Sequence, residues 1–181
     1  STLLFVLIPS LLPRTIAGIP EKESVAFLFM FMAFYFFLEA FTSEKLKKGI
    51  LFGVLAGIST ALMALVWGGF IFVFFAIPTA VLLAFLFGKI GKKEFYVYSI
   101  WLISSFALMM SFSIRYNWRN MISSLSTGGG IAVLFVIGLS FFILKIGKLK
   151  GIREKTKLPG KIFSLIISLL VLALILSLVF G

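Results

Sequence analysis

Seven long apolar stretches, divided by loops that alternate between rich and poor in basic residues, constrain this chain more than any other feature. They cover about residues 1–13, 24–41, 50–66, 70–87, 95–113, 131–144 and 162–180, and most hold 17 to 19 residues. At a rise of about 1.5 Å per residue, such lengths match the roughly 30 Å hydrocarbon core of a bilayer. Lipid offers no hydrogen-bond partner to a free backbone, and the alternation of barrel strands is missing, so each stretch is expected to be a helix. The first is short and carries Pro9 and Pro13, which predicts a truncated or kinked span. The loop after the second stretch holds Lys45, Lys47 and Lys48, and the loop after the fourth holds Lys89, Lys92 and Lys93. After the sixth come Lys145, Lys148, Lys150, Arg153, Lys155, Lys157 and Lys161, whereas the intervening loops share only Arg14, Lys22, Arg115 and Arg119. A missed or extra helix would scramble this alternation, which predicts the lysine-rich loops on the cytoplasmic side.

Composition agrees and removes whole chemistries. Hydrophobic residues make up 61% and charged residues 13%, against about 25% charged in soluble domains. There is no Cys, His or Asp, which excludes a thiol nucleophile, a disulfide, a Cys/His zinc site and an imidazole base. Any side-chain carboxylate with a chemical role is one of six Glu. The net charge of +11 resides in short loops between apolar runs, a pattern of membrane topology and not of nucleic-acid binding. The chain opens on STLLFVLIPSLLP without a basic leader region, as if part-way through a longer sequence.

Several features have a structural explanation first. Trp67-Gly68-Gly69 leaves room only for a tight turn, with glycines able to take positive φ and a Trp suited to the interface. Gly49, Gly53 and Gly57 recur every fourth residue, a small-residue face expected to admit a close helix neighbour. Glu39 near a helix end is expected to reach headgroup water. Arg115-Tyr116-Asn117-Trp118-Arg119 reads either as an aromatic belt with helix-end anchors or as a contact for lipid phosphate, since guanidinium forks match phosphate oxygens. Ser123 to Gly130 is expected to be a Ser/Gly-rich loop, and the last basic, Pro-containing loop is expected to face anionic headgroups.

Glu21 and Glu23 follow Pro20 at the mouth of the second stretch, on the predicted external side. Proline and carboxylates are favoured in a first helical turn, which explains the stretch without function. The alternative is that the two carboxylates help hold a divalent cation such as Mg²⁺ or Mn²⁺, whose remaining oxygens come from water, phosphate or other residues. In a helix, side chains two apart face different ways; in an extended segment they converge.

Arg14-Thr15-Ile16-Ala17-Gly18, then Glu21-Lys22-Glu23 and a Phe-rich span, resembles the second acidic motif of the catalytic subunit of oligosaccharyltransferase, and the Trp67-Gly68-Gly69 turn followed by Ile77-Pro78 is similar to that family too. The resemblance implies an all-α polytopic bundle, part of a larger GT-C-type membrane domain and covering roughly its third to ninth spans. It implies transfer of a lipid-linked oligosaccharide to asparagine in Asn-x-Ser/Thr sequons of an acceptor polypeptide. Glu21 and Glu23 would then flank Mg²⁺ or Mn²⁺ and the lipid pyrophosphate, with Arg14 neutralising phosphate or orienting the acidic loop. Arg115 and Arg119 remain candidates for lipid phosphate. The family's first position is usually Asp, so Glu21 is a departure. Its first acidic motif, its later carboxylate loop and its soluble domain have no counterpart here, which implies a piece that is inactive alone and works with the remaining parts of its enzyme in the cell or ER membrane. Another polyprenyl-phosphate-dependent glycosyltransferase, a non-catalytic membrane subunit and a transporter are the competing classes.

Overall fold

The computed structural model describes residues 22–145 and 160–180, and every long element in them is a helix. The expected span over residues 1–13, together with Arg14 and Glu21, lies outside the described residues. Helix α1 runs Lys22–Thr42 and α2 Leu46–Val66; a 3-10 turn at Gly68–Phe70 leads into α3, Ile71–Leu86. Then come α4, Lys92–Phe112; a short α5, Trp118–Ser123; α6, Leu125–Lys145; and α7, Gly160–Phe180. Among the described residues, five segments are long and apolar enough to cross a bilayer: Lys22–Thr42, Leu46–Val66, Gly68–Leu86, Lys92–Phe112 and Leu125–Ile143. α7 occupies the seventh apolar stretch of the sequence.

Two sub-bundles share a core. α2 packs between α1 and α4, while α6 packs against α3 and α7. Small residues set the first of these contacts: Gly49, Gly53 and Gly57 are buried in a row on α2 and face α4, where Gly53 and Gly57 approach Val97 and Trp101 carbonyls. A Cβ at Gly57 would sit 1.8 Å from Ser104 Oγ and 2.9 Å from the Trp101 carbonyl oxygen. The serine can rotate, but the carbonyl cannot move without its helix. Gly57→Val is therefore expected to destabilise the bundle by about 1–3 kcal/mol through overpacking, measurable as a lowered unfolding midpoint in detergent, and an unchanged midpoint would refute the close α2–α4 seam.

The core where the sub-bundles meet is aromatic. Trp101 is fully buried, with its ring centroid 5.3 Å from that of Phe74, 5.5 Å from Tyr98 and 5.7 Å from Phe37. Polar tips in this core all find partners: Trp101 Nε1 donates to Thr60 Oγ1 at 3.1 Å, Thr60 donates onward to the Ala56 carbonyl, and Tyr98 OH donates to the Gly130 carbonyl at 2.8 Å. Ser59, Ser99 and Ser105 likewise bond the carbonyl four residues back. No buried side-chain nitrogen or oxygen is left without a partner among the described residues, as a lipid surrounding demands.

Two local expectations need correction. Ser123 to Gly130 is not a loop: α6 begins at Leu125. Two of its glycines serve packing: a Cβ at Gly128 would lie 2.3 Å from the Ile122 carbonyl oxygen, and one at Gly130 would lie 3.2 Å from the Leu102 side chain. At the Trp67 turn, neither glycine takes positive φ; Gly69 is required because the Trp67 ring folds over it, 1.8 Å from where a Cβ would be. Positive φ belongs to Gly88 (76°), which ends α3 with a paired closure: the Lys89 N–H reaches the Ala84 carbonyl at 2.9 Å and the Gly88 N–H the Phe85 carbonyl at 3.0 Å.

The loops after α1 and α3 lie together, as the helix directions require. Lys93 Nζ donates to the Phe41 carbonyl at 3.1 Å and to the Ser43 carbonyl, joining the end of α1 to the start of α4. Glu39, near the end of α1, pairs with Lys48 at the start of α2. The bundle thus has a lysine end and, opposite it, a Trp67 end.

Candidate functional site

The Trp67 end gathers the features that the sequence singles out. Glu23 sits in the first turn of α1, half-buried, four residues before Phe27 and therefore on the same helix face. Phe27 meets Trp67 edge to face, with centroids 5.7 Å apart, which brings the acidic helix start beside the Trp67 turn. The positive end of the α1 dipole favours a carboxylate there. Because Glu23 lies within α1, it follows helical geometry, whereas Glu21 lies outside the described residues.

The segment from Arg115 to Arg119 is pinned to the same turn. Tyr116 packs edge to face on Phe70 at 5.6 Å, and its hydroxyl donates to the Ala64 carbonyl at 2.7 Å. Burial pushes the Tyr116 phenol above its usual pKa and neighbouring Arg115 opposes that rise, so the hydroxyl remains a donor at physiological pH. A cavity of about 350 Å³ opens next to it, lined by Gly68, Phe70, Arg115, Asn120, Ser124 and Thr127 among others. Ser124 and Ser126 share a hydrogen bond of 3.0 Å, and Thr127 Oγ1 donates to the Met121 carbonyl. Arg115 is exposed at this cavity, whereas Arg119, on α5, is exposed but not part of its lining. Ser124, Ser126 and Thr127 escaped the sequence reading because their Ser/Gly-rich run looked like a loop; its density of hydroxyls close after Arg115 was the available signal.

The described residues do not make a metal centre by themselves. Among them no group of three His, Cys, Asp or Glu side chains comes together. Glu39, Glu44 and Glu94 belong to the lysine end, leaving Glu23 as the described carboxylate near Trp67. One carboxylate supplies only part of the about six oxygens that Mg²⁺ takes, the others coming from water, phosphate or further residues.

The sequence profile of oligosaccharyl transferase STT3, N-terminal, matches residues 1–180. This chain belongs to the STT3 family. Among curated STT3 proteins, it is 21% identical over 143 residues to the dolichyl-diphosphooligosaccharide--protein glycosyltransferase subunit STT3B of Arabidopsis thaliana, covering 79% of this chain and 19% of that protein. It is 26% identical over 95 residues to the STT3 subunit of Saccharomyces cerevisiae (52% of this chain, 13% of that protein). With STT3A of rice it shares 29% over 97 residues, which is 53% of this chain and 12% of that protein. The chain thus spans about a fifth or less of the length of these STT3 relatives. No solved structure matches it significantly. Family and architecture agree: an STT3-family integral membrane bundle of helices.

Proposed function

We propose that this STT3-family chain forms part of the membrane wall of an oligosaccharyltransferase, moving a lipid-linked oligosaccharide onto asparagine in Asn-x-Ser/Thr sequons. The observation that carries the reading is the family match across residues 1–180, which takes in the acidic stretch, the Trp67 turn and the arginine segment together. The common location of Glu23, Trp67 and Arg115 at one end of the bundle supports it. In this reading the Trp67 end faces the external or luminal side and the lysine end the cytoplasm. The membrane is that of the ER if the source is a eukaryote, and the cell membrane otherwise.

Glu21 and Glu23 supply carboxylate oxygens to Mg²⁺ or Mn²⁺, with other ligands from the donor phosphates and from the rest of the enzyme. The bound ion would polarise the pyrophosphate. Arg14 neutralises donor phosphate or orients the acidic stretch. Arg115, at the mouth of a cavity rich in hydroxyls, contacts phosphate oxygens through its guanidinium, and Arg119 adds positive potential nearby. The apolar flanks of the bundle hold the lipid-borne donor at the membrane surface while the acceptor amide approaches from the aqueous side.

The test is glycan transfer by the full-length protein containing this sequence, with Glu21→Gln and Glu23→Gln made separately and Mn²⁺ varied. Loss of transfer that added Mn²⁺ partly restores is the expected result. Wild-type rates for both variants at every Mn²⁺ concentration would overturn the metal role and leave the glutamates as helix-start residues.

A further inference from the structure

A second feature lies at the opposite end, away from everything the transfer reading uses. α1 and α3 run in the same direction and leave a groove of about 280 Å³ between their C-terminal halves. Phe34, Phe37 and Phe41 of α1 form one wall, and Ala76, Ala80 and Ala84 of α3, spaced every fourth residue, leave the room that larger side chains would fill. From Phe34 to Phe41 the groove extends along about 10 Å of helix, most of the depth of one leaflet of a roughly 30 Å hydrocarbon core. Its lining is almost wholly apolar, and Leu38 on its edge is 62% exposed, so it opens sideways to where lipid chains lie.

The mouth of this groove is cationic. Both helices that line the groove end in lysine-bearing chain: the Lys89 backbone N–H closes onto the Ala84 carbonyl at 2.9 Å, and the Phe41 carbonyl accepts from Lys93 Nζ at 3.1 Å. Lys93 is partly neutralised by Glu94, 3.1 Å away. Lys89 and Lys92 are exposed and form no ion pair among the described residues. Lys48, by contrast, is committed to Glu39. Counting both loops, the lysine end presents Lys45, Lys47, Lys48, Lys89, Lys92 and Lys93 against Glu39, Glu44 and Glu94.

We infer that the groove between α1 and α3 is a binding site for an anionic phospholipid, one acyl chain lying along the phenylalanine wall and the headgroup held by Lys89 and Lys92. Charge complementarity selects this occupant: a zwitterionic lipid would fill the apolar slot equally well but gain little from unpaired lysines at its mouth, whereas an anionic headgroup gains from each. The site is independent of the glycan-transfer reading and stands or falls separately from it.

The experiment is native mass spectrometry of the purified full-length protein, equilibrated with an equimolar mixture of phosphatidylserine and phosphatidylcholine. Wild type is expected to retain phosphatidylserine with a preference of about tenfold. Lys89→Gln combined with Lys92→Gln is expected to bring that preference close to one while total lipid retention persists. Ala80→Phe, which fills the slot, is expected to reduce retention of both lipids. Equal retention of the two lipids by wild type, or an undiminished preference in the double lysine variant, would overturn the proposal. So would a photo-crosslinker placed at Ala80 that captures a protein helix instead of lipid. Transfer activity measured on the same samples in neutral lipid should be unaffected by the lysine changes, and this separates the two readings.

Discussion

Glycan transfer by the full-length protein is expected to fall by about 100-fold or more when Glu23 is changed to Gln. Removing a group that merely orients a metal ligand already costs about 10- to 100-fold in affinity or activity, and a direct ligand should cost at least as much. Glutamine preserves size and hydrogen bonding but removes the charge that a hard cation selects. Glu23 is half-buried in the first turn of α1 beside the Trp67 turn, so the isosteric change leaves the helix start intact. The decisive readout is the Mn²⁺ concentration for half-maximal transfer: a ligand's loss moves it upward, while loss of a helix-start charge leaves it in place and shifts only stability, by about 0.3–1 kcal/mol. Glu21→Gln should move the same quantity in the same direction. A drop in transfer with no change in metal dependence would remove both glutamates from the metal site.

The second large effect is on stability. Trp101→Ala is expected to cost about 3–5 kcal/mol, read as a lowered midpoint in denaturing-detergent titration of the purified protein. Its indole is fully enclosed and touches the rings of Phe37, Phe74 and Tyr98, so truncation leaves a void where α1, α3 and α4 meet. Helices in lipid are held chiefly by such close packing, because the surroundings are as apolar as the core. Thr60 keeps a partner in the Ala56 carbonyl after the indole N–H is lost, so little of the penalty comes from an orphaned hydroxyl. Trp101→Phe should accordingly retain most of the stability. A cost below about 1 kcal/mol for the alanine variant would mean that the aromatic centre is not the junction of the two sub-bundles.

The helical architecture was legible in the sequence because span length and loop charge are imposed by the bilayer. The predicted limits 24–41, 50–66, 70–87 and 95–113 differ from α1 to α4 mainly where helices extend past the apolar run into lysines or glutamates, as at Lys22, Leu46 and Lys92. Gly49, Gly53 and Gly57 announced a close contact, but only the fold shows that α4 is the partner. The eight residues from Ser123 to Gly130 misled because glycine signals both loops and crowded helix seams, and nothing local tells them apart. Gly69 illustrates the same ambiguity: its missing side chain makes room for the Trp67 ring and does not serve an unusual φ. At the candidate site, Glu23 and Arg115 were picked out by charge alone. The hydroxyl-lined cavity beside Arg115 was not, since it depends on how α5 folds back over the start of α6. Glu21 and Arg14 rest on the family resemblance.

Helix α4 is held at three heights: Lys93 grips the carbonyls that end α1, Trp101 reaches Thr60 at mid-depth, and Tyr116, just past its far end, holds the Ala64 carbonyl of α2. Sliding it along its neighbours by one turn, in either direction, would break all three attachments at once. α1, α2 and α4 are thereby held in one register, and Tyr98, from the middle of α4, extends the same grip to the Gly130 carbonyl of α6.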